Sequence, residues 1–569
     1  MEGVEQRKHR RLVLVPGPFQ GHLTPMLQLG TILHSRGFSI TIAHTKFNHP
    51  HPSSHPDFHF LCIEDRLSKD EVQSRDLVSL VLTLNTKCEQ PLREFLAQDR
   101  IACVFYDALM YFSESAARPL KIPSVILHTN SAASSLARSF LHQLKALGFI
   151  PLQESMLQDP VPQLQPLRFK DLPISHFGRL EDHLQLISLA GDIRTSSALV
   201  WNTLECLEES PLAQLREDYR VPIFSLGPLN KLAPAGSSSS STGLLEEDNA
   251  CISWLDKQCR NSVIYISLGS IASIDDRQLM EMAWGLANSG QPFLWVVRPN
   301  LVRGSEWSGF ESLSKGFKEI VEERGCIVKW APQRRVLSHG SVGGFWSHCG
   351  WNSTLESICE GVPMICQPCF GDQRVNARYL TSVWKVGYEL GDGENDRRSV
   401  EKAIRELMVG TQGEEMRQRM SKLKDKVEVS IQEGGSSYGS LESLIRDLNG
   451  LDPGLLLLNL GDGDCTLNLP MNLPELRSTL CYVSFLSSFS VSLWPLIWST
   501  RLSSSSTFTS SFFSPGRSTL NTCASGGLLP VDPAVDECSI LPEGIREARG
   551  EGGGRARERK VLEGVPDIE

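Results

Sequence analysis

Residues 330–373, WAPQRRVLSHGSVGGFWSHCGWNSTLESICEGVPMICQPCFGDQ, gather side chains suited to a phosphorylated sugar ligand. Within them VGGFWSHC reads as a short apolar strand, and NSTLESICEG as a helix opened by residues that favour N-caps. A helix N-terminus directly after a strand presents free N–H groups and a positive dipole end, which suits a diphosphate. His348, Asn352 and Ser353 stand where side chains add further donors. Glu356, one turn on, is placed to accept from ribose hydroxyls, and Trp330 offers a flat face for a base.

A second chemical centre is expected near the N-terminus. His22, in PGPFQGHLTP, falls in the loop between the strand RLVLV and a helix read as starting at Pro25. The C-terminal edge of an open α/β sheet is where ligands bind. An imidazole there has the right proton affinity for a general base near neutrality. A loop histidine that only caps backbone is the alternative. An imidazole that gains a proton needs a carboxylate to orient it, and Asp107, closing IACVFYD, ends another strand of the same sheet. Its alternative role is a helix N-cap, and the two roles are compatible.

The elements that must position these residues repeat twice. RLVLV, a turn, the helix PMLQLGTILHSRG and the strand SITIAHT make a βαβ unit, followed by IACVFYD, SVILHTN and ALVWNTLE. SVIYISLGS opens a second series with a helix around DRQLMEMAWGLANSG, the strand PFLWVVR, GCIVKW, PMICQP and a helix after Asp372. Such alternation predicts an α/β chain of two doubly wound parallel sheets. The predicted division is 1–230 for the first domain, 231–249 (Pro/Gly/Ser-rich) for a linker, and 250–448 for the second domain.

These motifs resemble the plant family 1 UDP-glycosyltransferases, over roughly residues 12–448. The box from Trp330 to Asp372-Gln373 matches the family's sugar-nucleotide signature, and PFQGHLTPML its histidine motif. The resemblance implies the GT-B architecture, two Rossmann-like domains facing a cleft, with acceptor on the first and UDP-sugar on the second. It implies uracil stacking on Trp330 with the Ala331 backbone at its edge, and ribose held by Gln333 and Glu356. Phosphates would lie on His348, Asn352 and Ser353, with Ser267 and Ser270 near the diphosphate. Trp351, Asp372, Gln373 and Thr129 would face the sugar, with His22 as base and Asp107 as its partner. Glucose is the implied sugar from Gln373, and Trp351 in place of a basic residue speaks against a glucuronate donor. The implied reaction inverts the anomeric centre without a metal or other cofactor, UDP-glucose being a co-substrate. No Asp-x-Asp is placed under the diphosphate, and Asp275-Asp276 reads as a helix start. The acceptor would be a small hydrophobic plant metabolite such as a flavonoid, terpenoid or hormone. The segment CEQPLREFLAQDRI (88–101) is shorter than the family pattern.

Bulk properties narrow the classes. A net charge of −10 over 569 residues, with no basic face, excludes a nucleic-acid binder. Neither PGPFQGHLTP nor SLGSIASID carries the G-x-G-x-x-G of a nicotinamide enzyme. A GT-B protein that only binds UDP-sugar or acceptor is the remaining rival, against which His22, Asp107, His348 and Glu356 all stand. The cysteines sit mainly in apolar runs, as small hydrophobes do in a reducing compartment. MEGVEQRKHRRLVLV lacks the apolar core of a signal peptide. A cytoplasmic monomer is therefore expected. Residues 449–569 turn to Ser, Pro and Gly and read as a disordered or non-native extension. Its uncharged stretch 478–500 has bilayer length, but nine Ser or Thr and Pro495 make membrane insertion a poor expectation.

Overall fold

The computed structural model describes residues 10–74, 76–175, 177–234, 245–303, 315–390 and 396–451. The extension beyond Leu451, with its uncharged stretch, and the middle of the predicted linker (235–244) lie outside the described residues.

The first half builds a sheet from β1 (Arg11–Val15), β2 (Ser39–Thr45), β3 (His59–Ile63), β4 (Ile101–Asp107), β5 (Ser124–His128), β6 (Ala198–Trp201) and β7 (Ile223–Ser225). Its order is β3-β2-β1-β4-β5-β6-β7, and all pairs are parallel. The second half builds one from β8 (Val263–Ser267), β9 (Phe293–Val296), β10 (Gly325–Val328), β11 (Val342–Ser347), β12 (Met364–Cys366) and β13 (Gly387–Glu389). Its order is β10-β9-β8-β11-β12-β13, again all parallel. These strands are nearly continuous apolar runs because helices cover both faces.

Each sheet reverses its winding once, between β1 and β4 in the first and between β8 and β11 in the second. Chains diverge there, so the strand ends border a crevice. His22 follows β1 and Asp107 closes β4, while Ser270 and His348 follow β8 and β11. The topology alone therefore brings the two chemical centres to the two crevices.

The helices that matter below are α1 (Gln20–Ser35), α2 (Leu77–Leu96), α3 (Ala132–Ser139), α4 (Glu205–Asp218), α5 (Asp276–Ser289), α6 (Trp351–Glu360), α7 (Asp372–Arg378) and α8 (Ser436–Gly450). α1 packs Leu23, Leu27 and Ile32 on Leu12 and Leu14 of β1. The last helix, α8, returns to the first half and buries Leu441, Leu444, Ile445 and Leu448 in that same core. Burying four such side chains contributes on the order of several kcal/mol towards holding the halves together. Polar contacts cross the seam as well. Ser131 Oγ donates to Asn376 Oδ1 at 2.8 Å, Arg378 Nε to the Pro166 carbonyl at 2.9 Å, and Ser437 Oγ to the Gly227 carbonyl at 2.6 Å.

One local expectation is corrected. α1 opens at Gln20, so His22 stands in its first turn and not in a preceding loop. Proline favours the first helical position, which made Pro25 look like the start. The structure instead accepts Pro25 inside the helix. Its missing N–H leaves only the Gly21 carbonyl without a helical donor, and that carbonyl is served from elsewhere, by Asn352 Nδ2 at 2.8 Å. The short 88–101 segment is absorbed by α2, which runs to Leu96 and turns directly into β4. Asp275 accepts from Gln278 N at 2.8 Å, as a helix start requires.

Candidate active site

His22 Nδ1 lies 2.8 Å from Asp107 Oδ2, across the crevice between β1 and β4. The carboxylate is 1% exposed and the imidazole 29%, so one partner is sealed and the other keeps an open edge. The helix N-cap expected as its alternative is not what Asp107 makes: Oδ1 accepts from Leu109 N at 2.9 Å in the turn after β4, and the next helix begins only at Phe112, without a side-chain cap. Oδ2 is then aimed by a fixed side chain. Gly17 makes the approach possible: a Cβ there would stand 3.0 Å from His22 Cβ and 3.3 Å from Asp107 Oδ1. The pair is satisfied when Nδ1 carries the proton, which leaves Nε2 as the free base. Burial lowers the His22 pKa, but the Asp107 charge and hydrogen bond, helped by Asp372, outweigh it, and the net shift is upward.

Thr129 joins this pair. Its Oγ1 stands 3.0 Å from His22 Nδ1 and donates to Asp107 Oδ2 at 3.5 Å. The hydroxyl expected near a sugar is thus 7% exposed and bound to the histidine–aspartate pair.

The opposite wall is the start of α6. Gly350 caps it with no side-chain bond, so its first-turn N–H groups point out uncapped. Ser353 Oγ and Glu356 Oε2 both accept from Gln333 Nε2, at 2.9 and 2.7 Å, and Gln333 Oε1 accepts from Tyr265 OH at 3.2 Å. Three predicted residues are thereby one network. Burial raises the Glu356 pKa, opposed by the Gln333 bond and Arg334. Trp330 packs partly buried on the second core and gives its carbonyl to Asp248 N at 2.9 Å, while Ala331 is 4% exposed.

His348 sits beside the turn after β8. A Cβ on Gly269, whose φ is +70°, would come within 2.5 Å of His348 Nε2. The turn can close on the ring only with glycine there. Burial, with Arg298 adding, holds the His348 pKa down to about 4, so the ring is neutral. Ser267 ends β8 almost fully buried, and Ser270 lies half-buried in the turn.

The remaining predicted residues are placed differently from one another. Trp351 is 3% exposed and donates Nε1 to the Asn202 carbonyl at 2.7 Å, so its indole belongs to the seam between the halves. Asn352 donates to the Gly21 carbonyl, next to His22, at 2.8 Å. Asp372 opens α7 and accepts from Asn376 Nδ2 at 3.3 Å. Gln373 gives Oε1 to the N–H groups of Cys369 and Phe370, at 2.9 and 3.2 Å.

The chain matches the family model for UDP-glucuronosyl and UDP-glucosyl transferases over residues 246–429. It is 48% identical over 448 residues to UDP-glycosyltransferase 76E1 of Arabidopsis thaliana, covering 77% of this chain and 97% of that protein. This chain belongs to the plant family 1 UDP-glycosyltransferases. A flavonol 3-O-glucosyltransferase of Arabidopsis thaliana, UGT76E12, is 47% identical over 456 residues, 78% of this chain and 98% of its own. The structure of Phytolacca americana UGT2 with UDP-2-fluoro-glucose and pterostilbene superposes with a TM-score of 0.65 at 28% identity, covering 77% and 99% of the two chains. The two parallel-sheet domains are those of the plant GT-B enzymes, and this UDP-glycosyltransferase acts on small plant metabolites within an inverting, metal-independent family.

Two cations escaped the sequence reading of this UDP-glycosyltransferase. Arg298 is 5% exposed and donates Nε to the Gly269 carbonyl at 2.7 Å, Nη1 to the Pro299 carbonyl at 3.1 Å, and Nη2 to the Ala272 carbonyl. It holds the turn facing His348 from beneath. Its signal was a charge closing the apolar run PFLWVV. Arg138, on α3, carries a charge that opposes proton uptake by His22, and no motif marked it. The small-hydrophobe reading of the cysteines overlooked one Cys-x-x-Cys spacing. Cys366 and Cys369 form a Cys-x-x-Cys pair at the end of β12. Both are free thiols, and burial pushes Cys369 up to about 11. Among the described residues no cluster of His, Cys, Asp and Glu could hold a metal, and no helix is long and apolar enough to cross a membrane.

Proposed function

We propose that this chain transfers glucose from UDP-glucose to a hydroxyl group of a small plant metabolite, with inversion at the anomeric carbon. The observation that carries the reading is the His22–Asp107 pair at 2.8 Å, set beside the uncapped start of α6. The acceptor oxygen attacks C1 of the sugar as His22 Nε2 takes its proton. The C1–O bond to UDP breaks on the opposite face. Asp107 balances the imidazolium that forms and keeps the ring in the required tautomer.

The departing diphosphate gathers negative charge, which α6 N–H groups, Asn352, Ser353 and neutral His348 would meet as donors. In the same reading Ser267 and Ser270 line the turn over the diphosphate. Trp330 and Ala331 take the uracil, and Gln333 with Glu356 the ribose. Asp372, Gln373 and Thr129 border the sugar, and Trp351 contributes from the seam through its backbone. Relatives support the donor and the acceptor class: UGT2 was solved with a fluorinated UDP-glucose, and UGT76E12 is named for flavonol glucosylation. A cytoplasmic place of action fits the free thiols of the described residues.

The test is UDP release from UDP-glucose by wild type and His22→Ala, against flavonols, terpenoids and small hydroxy acids. Release that requires an acceptor and drops by about 10²-fold or more in the variant supports the reading. Undiminished release in His22→Ala would remove the base from it.

A further inference from the structure

Asn376 lies on α7, one turn after Asp372, and is 1% exposed. Its Nδ2 donates to the Cys349 carbonyl at 3.0 Å and to Asp372 Oδ2 at 3.3 Å, while Oδ1 accepts from Ser131 Oγ at 2.8 Å. The orientation of the amide is fixed by these partners. A carbonyl and a carboxylate only accept, so both need its nitrogen side. Ser131 Oγ accepts from Ser134 N at 3.2 Å as the cap of α3, which leaves its hydrogen for Oδ1.

The three partners belong to different parts of the site. Ser131 stands two residues beyond Thr129, whose hydroxyl is 3.0 Å from His22 Nδ1. Its turn is anchored in the first half by Glu208 of α4, which accepts from Ala132 N at 2.8 Å and Ala133 N at 2.9 Å. Cys349 joins β11 to α6 with a φ of +63°, a left-handed conformation that a side chain disfavours. Contacts must hold such a turn, and Asn376 on its carbonyl and Ser347 Oγ on its N–H, at 3.1 Å, do so. Asp372 is the carboxylate beside the sugar in the reading above. Other seam bonds, such as Ser437 to the Gly227 carbonyl, use residues that line no part of that site.

We propose that Asn376 is a positioning residue for the transfer. It holds Asp372 and the Cys349 turn in register with the Ser131–Thr129 turn, so that the sugar meets the oxygen that His22 deprotonates. It touches neither substrate. The proposal rests on the transferase reading above and adds the residue that aligns one half's share of the site with the other's.

The experiment uses the full chain as wild type, Asn376→Ala, Ser131→Gly, the two together, and Ser437→Ala. Glycine is tolerated as a helix N-cap, so Ser131→Gly removes the bond to Asn376 and leaves α3 in place. Calorimetry gives the affinities for UDP and UDP-glucose, and product formation with an acceptor from the panel above gives kcat and both KM values. Asn376→Ala should keep its UDP affinity, which shows that it folds. Its ratio of UDP-glucose to UDP affinity should fall about threefold or more, as the loss of one hydrogen bond allows. Its kcat should fall about tenfold or more with acceptor KM little changed, because reacting atoms held out of line lose rate steeply. Ser131→Gly should lose part of that rate, and the double variant no more than Asn376→Ala alone, since both remove the same link. Ser437→Ala should lower the melting temperature without moving kcat.

An unchanged kcat in Asn376→Ala, an equal kcat loss in Ser437→Ala, or losses that multiply in the double variant would each overturn the proposal. If Asn376→Ala binds no UDP, Ser131→Gly decides, and a wild-type kcat there overturns it. A wild type that forms no product with any acceptor ends the transferase reading. The affinity ratio then decides this proposal, which an unchanged ratio in Asn376→Ala would end.

Discussion

Asn352 donates its side-chain amide to the carbonyl of Gly21 at 2.8 Å, and that carbonyl is the one Pro25 leaves without a helical donor. A proline inside α1 thus creates the acceptor by which the second half grips the residue next to His22. The same asparagine stands in the uncapped first turn of α6. In the proposed reaction, donor recognition and placement of the base would meet in this one side chain.

That relationship predicts a coupling. Asn352→Ala should raise the KM for UDP-glucose and cost about 0.5–1 kcal/mol of stability, the net worth of one partly exposed hydrogen bond. In a Pro25→Ala background the Gly21 carbonyl gains its helical donor, so the stability cost of Asn352→Ala should shrink. A double-mutant cycle on thermal unfolding reads the difference, expected at about 0.5 kcal/mol or more. Strict additivity would mean that the Gly21 contact carries no energy.

The pH dependence follows from His22. Its pKa is raised in the fold, burial being outweighed by Asp107, and the base must be neutral to act. Activity at low acceptor should therefore fall as pH drops through that raised value. Asp107→Asn removes the upward pull and leaves burial to lower the pKa, so the acid limb should move to lower pH while the rate falls by about 10²-fold or more. The stability contribution of the charged pair runs the other way. It is full below the unfolded histidine value of about 6.5 and lost as pH rises through the folded value. A pH–rate profile of both proteins checks the first claim, and an acid limb that stays in place in Asp107→Asn contradicts it.

Strand ends were the legible part of this chain. RLVLV, SITIAHT and IACVFYD match β1, β2 and β4 residue for residue, because buried parallel strands are short apolar runs bounded by turns. The pattern also placed His22 and Asp107 at neighbouring strand ends. It failed at α1, where proline preference pointed to Pro25 and a contact from residue 352 decided otherwise. It also could not say where α8 would dock, since Leu441, Leu444 and Ile445 mark an apolar face without naming its partner. Trp351 shows the same gap within the site. The box gives the residue, but only the fold turns its indole onto Asn202. Arg138 and Arg298 are single charges whose meaning depends entirely on what surrounds them.

Acid should weaken the fold through histidines buried in neutral form. Burial holds His128 near 3 and both His183 and His348 near 4, and Arg138 or Arg298 adds to each. Their unfolded values are about 6.5, so the unfolded chain binds more protons as pH falls from about 6.5 towards 4, and stability drops across that window. The melting temperature should decline steadily there. His128 stacks on Trp201 with ring centroids 4.0 Å apart, so His128→Phe keeps an aromatic surface and should flatten the decline. A variant with the same slope as wild type would show that His128 takes up no proton on unfolding in that range.

Arg298 supports the turn that faces His348 through three backbone carbonyls, without a carboxylate partner among the described residues. Removing it orphans buried acceptors, each worth about 1–3 kcal/mol of desolvation, and lets the Gly269–Ser270 turn relax. Arg298→Met should therefore lower the melting temperature by several degrees and raise the KM for UDP-glucose about tenfold, with a smaller change in acceptor KM. Arg298→Lys reaches fewer carbonyls than the guanidinium fork and should fall between. The discriminating readout is the split between the two substrates. A loss shared equally by donor and acceptor would mark general destabilisation, whereas a loss confined to the donor side ties this buried cation to the diphosphate turn.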